Sequence, residues 1–234
     1  MNRVILSAST DETILAVTRQ HKLVDLEIEQ QINTEIVGCI YKGIVKNIVP
    51  AVDGIFVDIG IGKNAFLRRK DLLNEKRFPT EGSPILAQVI KSDTDMKGAL
   101  ITEKISMLGK YAVTLSGTGY IGVSKKIRSE SVRERLKETG KEICAEHMGL
   151  IIRTAAENAD MDEFRKDIIR LKENWDIIQK RFRMEKSPTL LYRESDIIVK
   201  ALRDYVNKGT EILITDNRLS LIHISEPTRP RLIS

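Results

Sequence analysis

Residues 41–60 read YKGIVKNIVPAVDGIFVDIG, and residues 62–67 continue as GKNAFL. The alternating side chains of the first half predict a β-strand, with positions 44, 46 and 48 on one face and 45, 47 and 49 on the other. Glycines at positions 54, 60 and 62 mark turns and tight bends. Short strands separated by such bends predict a small closed β-barrel in this part of the chain.

Phe56 and Phe66 lie ten residues apart in this segment, and lysines precede them. On the outer face of a barrel, aromatic rings and lysines suit stacking on unpaired bases, which contributes about 1–3 kcal/mol per base. Lys42 and Lys46 are further candidates for attracting phosphate. The spacing alone favours a different interpretation, in which both rings belong to the barrel core.

The composition is that of an ordinary globular protein. Hydrophobic residues make up 41% and charged residues 30% of the 234 residues, enough for one large or two small domains. The net charge of +5 suits a polyanionic partner, although many proteins share an excess of this size. Cys39 and Cys144 show neither metal-binding nor redox spacing. The N-terminus does not resemble a signal peptide, and no apolar run approaches the length of a membrane span, about 18 residues. A cytoplasmic protein is therefore expected.

The remainder of the chain predicts mixed α and β structure. Three strands are expected over residues 3–7, 12–18 and 22–28, and the capping-box pattern Ser131–Glu134 predicts the start of a short helix. A long helix is expected over residues 160–183, where apolar side chains recur in steps of three and four. This periodicity predicts that the stripe, including Trp175, packs on a core.

A second helix over residues 194–206 and a strand over 210–215 are expected to complete the sheet begun by the first three strands. The segments between the two ends would then be insertions into that sheet.

The pattern K-G-x-V/I-x-x-I-x-P, followed by G-I-F-V-D-I-G and A-F-L, resembles S1-type RNA-binding domains of the OB-fold class. More specifically, it is similar to the S1 domain embedded in the catalytic half of the ribonuclease E/G family, and the resemblance extends from Val4 to Ile214. It implies an α+β protein of several subdomains: a split RNase H-like subdomain (residues 1–36 and 190–218), an inserted S1 barrel (37–104) and an α/β region (105–189) that senses RNA 5′ ends.

The resemblance also implies binding residues. In the barrel, Phe56, Phe66 and Lys97 match the family's RNA-contacting aromatics and lysine. Two aromatic rings for stacking and one cation for the backbone are a consistent set. Lys125 and Lys126 stand where the family often has two arginines.

A second motif, residues 149–155 with the sequence GLIIRTA, ends an apolar strand in Arg153 and Thr154. A guanidinium fork beside a hydroxyl suits a phosphate group, although the residues alone favour an arginine on a solvated edge. The resemblance implies that Arg153 and Thr154 bind the RNA 5′-monophosphate, with Gly109 and Val113 as the backbone and apolar wall of the pocket.

As a whole, the resemblance implies an endoribonuclease that binds single-stranded, 5′-monophosphorylated RNA and cuts it with Mg²⁺ in rRNA maturation and mRNA decay. In the family, a downstream pair of aspartates holds the Mg²⁺, and a Cys-x-x-Cys motif shares Zn²⁺ between protomers of a homo-oligomer. We therefore expect neither catalytic nor metal-binding residues in this chain, and expect it to bind RNA without cleaving it.

The resemblance is expected to stop near Arg218, before the catalytic subdomain. Residues 219–234 are expected to be a non-native tail, with a genuine disordered tail as the alternative. Two alternatives remain at this point. One is a stand-alone S1-type RNA-binding protein without nuclease activity. The other is an interaction protein whose long helix exposes its apolar stripe to a partner.

Overall fold

The computed structural model describes residues 2–8, 12–30, 36–76, 78–94, 97–144, 148–193, 200, 201, 203, 205, 206 and 210–214. They form two compact units, one built from the two ends of the chain and the other from residues 36–194. The helices and strands with described bounds are, in chain order, β1 (Asn2–Ala8), β2 (Glu12–Arg19), β3 (Lys22–Gln30), β4 (Ile40–Val49), β5 (Gly54–Asp58), β6 (Ala65–Arg68), β7 (Pro84–Lys91), β8 (Leu100–Thr102), β9 (Ser106–Leu108), β10 (Ala112–Ser116), β11 (Ile121–Val123), α1 (Glu130–Ile143), β12 (Met148–Ile152), α2 (Met161–Met184), β13 (Thr189–Tyr192) and β14 (Thr210–Ile214).

The first unit is a sheet of four strands in the order β14-β1-β2-β3. Strand β14 runs parallel to β1, whereas β1, β2 and β3 form antiparallel hairpins. The predicted pairing of the C-terminal strand with the N-terminal strands is therefore present, while the RNase H-like character of this sheet stays a prediction. The core of the unit consists of Val4, Leu6, Leu15, Val17 and Ala201, with Tyr205 and Val206 packed against it.

The helix predicted over residues 194–206 is described only in part. Ala201, Arg203 and Tyr205 are helical, and Lys200 precedes them in the same conformation. The other positions of that prediction lie outside the described residues.

The second unit contains the predicted barrel, with five strands in the order β4-β5-β6-β8-β7 and closure by pairing of β7 with β4. The first half of β4 pairs with β7 on one side and β13 on the other, while its second half pairs with β5. Side chains from all five strands fill the interior: Cys39, Tyr41, Val45, Ile55, Val57, Ile59, Ala65, Leu67, Leu72, Ile85, Ala87, Val89, Ala99 and Ile101.

The strict alternation predicted for β4 is wrong beyond Val45. A β-bulge lies between Val45 and Asn47, so that Lys46 and Asn47 are both exposed. Beyond it, Ile48 packs against the same core as Val45. An extra residue in one strand reverses the alternation, and Ile48 therefore points inward although Lys46 does not.

Beside the barrel, a sheet in the order β11-β12-β10-β9 packs one face against α1 and α2. The predicted stripe of α2 lies in this core: Phe164, Ile168, Leu171 and Ile178 are buried, and Met161, Trp175 and Phe182 are partly buried against them. The packing prediction is confirmed. An apolar stripe exposed to a partner, as the interaction-protein alternative requires, is not what the fold contains.

The capping-box prediction for α1 is displaced by two residues. The helix begins at Glu130 with Ser129 as its N-cap, and the N–H of Arg133 donates to the Ser129 carbonyl. Ser131 is thus already inside the first turn. The side chain of an N-cap residue accepts from the second or third helical residue, a position that Ser131 does not occupy.

Candidate nucleic-acid interface

Phe56 on β5 and Phe66 on β6 are direct cross-strand partners. Their ring centroids are 5.4 Å apart and the ring planes are inclined by 50°. Ile55, Val57 and Leu67, their neighbours along the strands, point into the barrel core, so the two rings point outward. Both rings are partly exposed, and the interpretation of the pair as barrel core does not fit this geometry.

Phe66 lies directly over the backbone of Gly54. A Cβ at position 54 would approach two atoms of the Phe66 ring to 2.4 Å, much closer than van der Waals contact. A glycine at this point of β5 therefore leaves the space that the Phe66 ring occupies. The aromatic pair is seated on the sheet rather than held at the tip of a loop.

Lys97 is exposed and lies in the turn that leads into β8. The N–H of Phe66 donates to the Ala99 carbonyl at 2.7 Å, which ties this turn to the aromatic strand. Lys63 Nζ donates to the Thr94 carbonyl of the same turn at 2.8 Å. The structure therefore brings Lys63, which sequence reasoning missed, to the side of the barrel that carries Lys97.

Lys42 has a structural role that its position in the motif did not indicate. Its Nζ donates to the carbonyl oxygens of Phe182 at 2.6 Å and Glu185 at 2.7 Å, at the C-terminal end of α2. A cation satisfies the last carbonyls of a helix and complements its dipole. Lys46 is exposed and lies 3.4 Å from Asp58. Lys42 is therefore used within the fold, and phosphate attraction by Lys42 and Lys46 stays a prediction.

Arg153 follows β12 directly and is half-buried. Its Nη1 donates to the carbonyl oxygens of Gly109 at 2.7 Å and Lys110 at 3.2 Å. Its backbone N–H donates to the Tyr111 carbonyl at 2.8 Å. The guanidinium is thus held against the turn at residues 109–111, which differs from the solvated edge that the residues alone favoured.

Thr154 opens a short 3₁₀ turn, Thr154–Ala156, and is exposed. Its Oγ1 lies 2.9 Å from the Oγ of Ser124. The N–H of Lys126 donates to the same Ser124 oxygen at 3.3 Å, so the segment with Lys125 and Lys126 lies beside Thr154. Sequence reasoning missed Ser124, whose only signal was its place directly before the two lysines.

Strand β12 and helix α1 both hold the loop that carries Ser124. The Ser124 N–H donates to the Ile152 carbonyl at 2.8 Å. Arg133 of α1 donates through Nη1 to the carbonyls of Ser124 at 2.8 Å and Ile127 at 3.2 Å. Arg133 is one of the seven basic residues in positions 122–141. It therefore fixes the loop to helix α1.

Val113 lies in a different place from Thr154 and Ser124. It lines a largely apolar cleft of about 350 Å³ between the barrel and the sheet, together with residues such as Ile90 and Leu108. Its neighbour on β12 is Ile151, two residues before Arg153. Four residues were expected at a phosphate pocket. Arg153 and Gly109 are in contact, and Thr154 follows Arg153 in the chain. Val113 belongs to the cleft wall.

Two family models match the chain. Residues 34–102 match the S1 RNA binding domain, and residues 106–230 match the ribonuclease E/G family. The chain belongs to the ribonuclease E/G family. The resemblance inferred from the motifs is confirmed, and the five-stranded barrel described above is an S1 domain.

Curated members of the family are similar along nearly the whole chain. Ribonuclease G of Escherichia coli (strain K12) is 33% identical over 93% of this chain and 48% of its own length. Ribonuclease G of Haemophilus influenzae is 32% identical over 96% of this chain and 49% of its own length. Ribonuclease E of Buchnera aphidicola subsp. Schizaphis graminum is 32% identical over 100% of this chain and 26% of its own length. The chain spans about half the length of the ribonuclease G relatives.

The family match also corrects one expectation. It continues to residue 230, beyond Arg218, where the resemblance was expected to stop. Residues 215–234 lie outside the described residues, and the expected non-native tail with them.

The resemblance implies Mg²⁺ and Zn²⁺ for the intact enzyme. Within the described part of the chain, no group of three or more His, Cys, Asp and Glu side chains is placed to hold a metal ion. The described residues therefore supply no site for the Mg²⁺ or the Zn²⁺ that the resemblance implies. No helix among the described elements is long and apolar enough to cross a membrane.

Proposed function

We propose that this chain is the RNA-binding and 5′-end-sensing part of an endoribonuclease. Single-stranded RNA binds across the outer face of the S1 barrel, and Arg153 with Thr154 recognises its 5′-monophosphate. The observation that carries the proposal is the Arg153 guanidinium, whose Nη1 is held by the carbonyls of Gly109 and Lys110. Thr154, the next residue in the chain, shares a hydrogen bond with the hydroxyl of Ser124.

The fixed guanidinium favours a terminal phosphate over other groups. Its two carbonyl contacts orient the planar fork before any ligand arrives, which lowers the entropy lost on binding. A phosphate monoester carries about −1.5 to −2 charges at pH 7, whereas an internal phosphodiester carries one. Each charge-assisted hydrogen bond contributes about 1.5–3 kcal/mol. RNA with a 5′-monophosphate should therefore bind roughly 10- to 150-fold more tightly than 5′-hydroxyl RNA.

The two hydroxyl groups support the same ligand. Ser124 Oγ accepts from the N–H of Lys126, and it can donate its own proton to Thr154 Oγ1. Thr154 is then left to donate its proton to a phosphate oxygen. Lys125 and Lys126 are exposed on the same segment and add positive charge near that anion.

On the barrel, the aromatic pair and Lys97 support contacts to the body of the RNA. The two rings are inclined to one another by 50°, so each can stack on its own base. Stacking contributes about 1–3 kcal/mol per base and depends little on sequence. Such contacts should be equally strong for RNA with and without the 5′-phosphate.

The Arg153→Ala variant tests the pocket. Binding of two oligoribonucleotides of one sequence, one with a 5′-monophosphate and one with a 5′-hydroxyl, is measured by fluorescence anisotropy. The variant should lose the preference for the phosphate and keep its affinity for the hydroxyl form. Arg153→Lys retains the charge without the fork and should give an intermediate preference. An unchanged preference in Arg153→Ala would refute the pocket.

The matched control is Arg165→Ala. Arg165 is another partly exposed arginine of the same unit, and it pairs with Glu142 at 2.9 Å on the helices rather than at the pocket. Its removal takes away the same charge and should leave the preference unchanged.

For the intact enzyme, the same proposal includes magnesium-dependent cleavage of RNA in rRNA maturation and mRNA decay. The absence of cleavage by this chain alone stays a prediction, which incubation with 5′-monophosphorylated RNA and Mg²⁺ tests. A cytoplasmic location and homo-oligomer formation by the intact enzyme stay predictions as well. A stand-alone S1 protein is the second candidate, but the family match beyond the barrel favours the ribonuclease.

A further inference from the structure

Helix α2 holds Tyr111 at two points. Asp167 Oδ2 accepts the backbone N–H of Tyr111 at 2.8 Å, and Glu163 Oε2 accepts its phenolic O–H at 2.6 Å. The two carboxylates are four residues apart and therefore lie on one face of the helix. Burial and the hydrogen bond to Glu163 raise the pKa of Tyr111 above its usual value, so the phenol remains a donor.

The same residue also faces the pocket. The Tyr111 carbonyl accepts the backbone N–H of Arg153, and the two preceding carbonyls accept the Arg153 guanidinium. The turn at residues 109–111 thus contacts α2 on one side and Arg153 on the other. Any movement of this turn moves the acceptors that orient the guanidinium.

The turn packs tightly against Asp167 at Gly109. A Cβ at position 109 would approach Asp167 Oδ2 to 2.5 Å and Leu171 Cδ1 to 2.8 Å. The carboxylate therefore packs against the α-carbon of the residue whose carbonyl receives Arg153. A displacement of the carboxylate is transmitted directly to that carbonyl.

Asp167 is an unusual residue for its place on the helix. Its side chain is 6% exposed, next to the buried Ile168 and near Phe164 and Leu171 in the core-facing stripe. A buried carboxylate is costly unless its oxygens are hydrogen-bonded. Here one oxygen serves Tyr111 and the other lies 3.0 Å from Arg170 Nη2, which balances the charge.

We propose that Asp167 is a positioning residue of the 5′-monophosphate pocket. By holding the N–H of Tyr111 and packing on Gly109, it sets the turn whose carbonyls aim Arg153 at the phosphate. This inference rests on the proposed function of Arg153. It adds to that pocket a carboxylate on α2 that does not touch the RNA itself.

The test compares Asp167→Ala with Asp167→Asn in the full chain. The amide oxygen of asparagine accepts the same N–H, so Asp167→Asn should keep the ratio of affinities for 5′-monophosphate and 5′-hydroxyl RNA within about twofold. Asp167→Ala should lower that ratio roughly three- to tenfold, a part of the effect expected for Arg153. Affinity for the 5′-hydroxyl RNA should be unchanged in both variants. Asp176→Ala, at an exposed position of the same helix, is the control and should have no effect.

A folded Asp167→Ala variant with the wild-type ratio overturns the inference, as does an Asp167→Asn variant that is as damaged as Asp167→Ala. Circular dichroism melting establishes whether each variant is folded. Should Asp167→Ala unfold, Asp167→Glu takes its place, since the longer side chain must push the tightly packed turn at Gly109. It should lower the ratio, and a wild-type ratio in Asp167→Glu overturns the inference.

The same data separate the two proposals. A wild-type chain without any 5′-phosphate preference, or an Arg153→Ala variant that retains it, removes the proposed function. If Arg153→Ala loses the preference for 5′-monophosphate RNA and the Asp167 variants keep it, only the role of Asp167 is refuted.

Discussion

The hydroxyl oxygens of Thr154 and Ser124 lie 2.9 Å apart, although the residues are 30 positions apart in the chain. In the proposed pocket, Ser124 orients Thr154 rather than touching the phosphate. A neutral hydrogen bond of this kind contributes about 0.5–1.5 kcal/mol. The pair therefore lets the contribution of a supporting hydroxyl be measured separately from that of the contacting one.

We expect Ser124→Ala to lower the preference for 5′-monophosphate RNA roughly two- to tenfold, because Thr154 then lacks the donor that leaves its own proton for the phosphate. Thr154→Ala should lower it at least as much. The measurement is the ratio of affinities for the two RNA forms. Ser131→Ala, which removes an exposed hydroxyl in the first turn of α1, is the control. A Ser124→Ala variant with the full preference, alongside a damaged Thr154→Ala, would show that Thr154 needs no such support.

At the residue scale, sequence reasoning reaches side chains that are neighbours in the chain. Arg153 and Thr154 were singled out through the family resemblance of the motif at residues 149–155, and their contact with a phosphate stays a prediction. Ser124 and Asp167 were missed because each reaches the proposed pocket only through the tertiary fold. Asp167 in particular reads in sequence as a charged position on a helix, and only its burial against Gly109 reveals otherwise.

At the level of elements, the aromatic pair depends on two neighbouring strands. Phe56 and Phe66 are in register across β5 and β6, and a ring pair of this kind contributes about 0.5–1.5 kcal/mol beyond the area it buries. Because both rings lie outside the barrel core, replacing either ring should mainly lower the affinity for RNA. The fold should suffer only a small loss of stability.

Phe56→Ala and Phe66→Ala should each weaken binding of single-stranded RNA by about 1–3 kcal/mol, which is roughly 5- to 150-fold. The loss should be equal for 5′-monophosphate and 5′-hydroxyl RNA, because stacking does not involve the 5′ end. Fluorescence anisotropy gives the affinities, and thermal melting monitors the fold. Leu73→Ala, at an exposed apolar site of the second unit, should leave binding unchanged. Cooperative unfolding of either phenylalanine variant at room temperature would instead restore the barrel-core interpretation.

Helices and strands were predicted correctly where the sequence signal lies within one segment of the chain. The stripe of α2 was correct because a helix repeats its pattern within one segment, so seven positions agree without reference to the rest of the fold. The bulge at Lys46 was missed because it depends on how β4 is shared between β5, β7 and β13. Barrel closure through β7 and β4 likewise involves strands that no short window contains.

At the level of the whole molecule, the barrel and the sheet with its helices belong to one unit, residues 36–194. Several side chains join the two layers. Gln88 of the barrel donates to the Ser106 carbonyl and accepts the Ser106 N–H, both at 2.9 Å. Lys42 of the barrel holds the end of α2. These contacts make the barrel face and the proposed pocket parts of one folded body.

Residues 36–194 alone should therefore fold cooperatively and retain the 5′-monophosphate preference of the full chain within about twofold. Both sets of proposed RNA contacts lie inside this segment, and so do all the described residues of its two cores. Thermal melting and the paired-RNA binding assay measure the two properties. A segment ending at residue 160 is the control. It lacks α2 and β13, leaves the helix-facing core uncovered and should aggregate. A folded 36–194 segment without the preference would assign part of the phosphate site to the ends of the chain and contradict a pocket built from Arg153, Thr154 and the turn at residues 109–111.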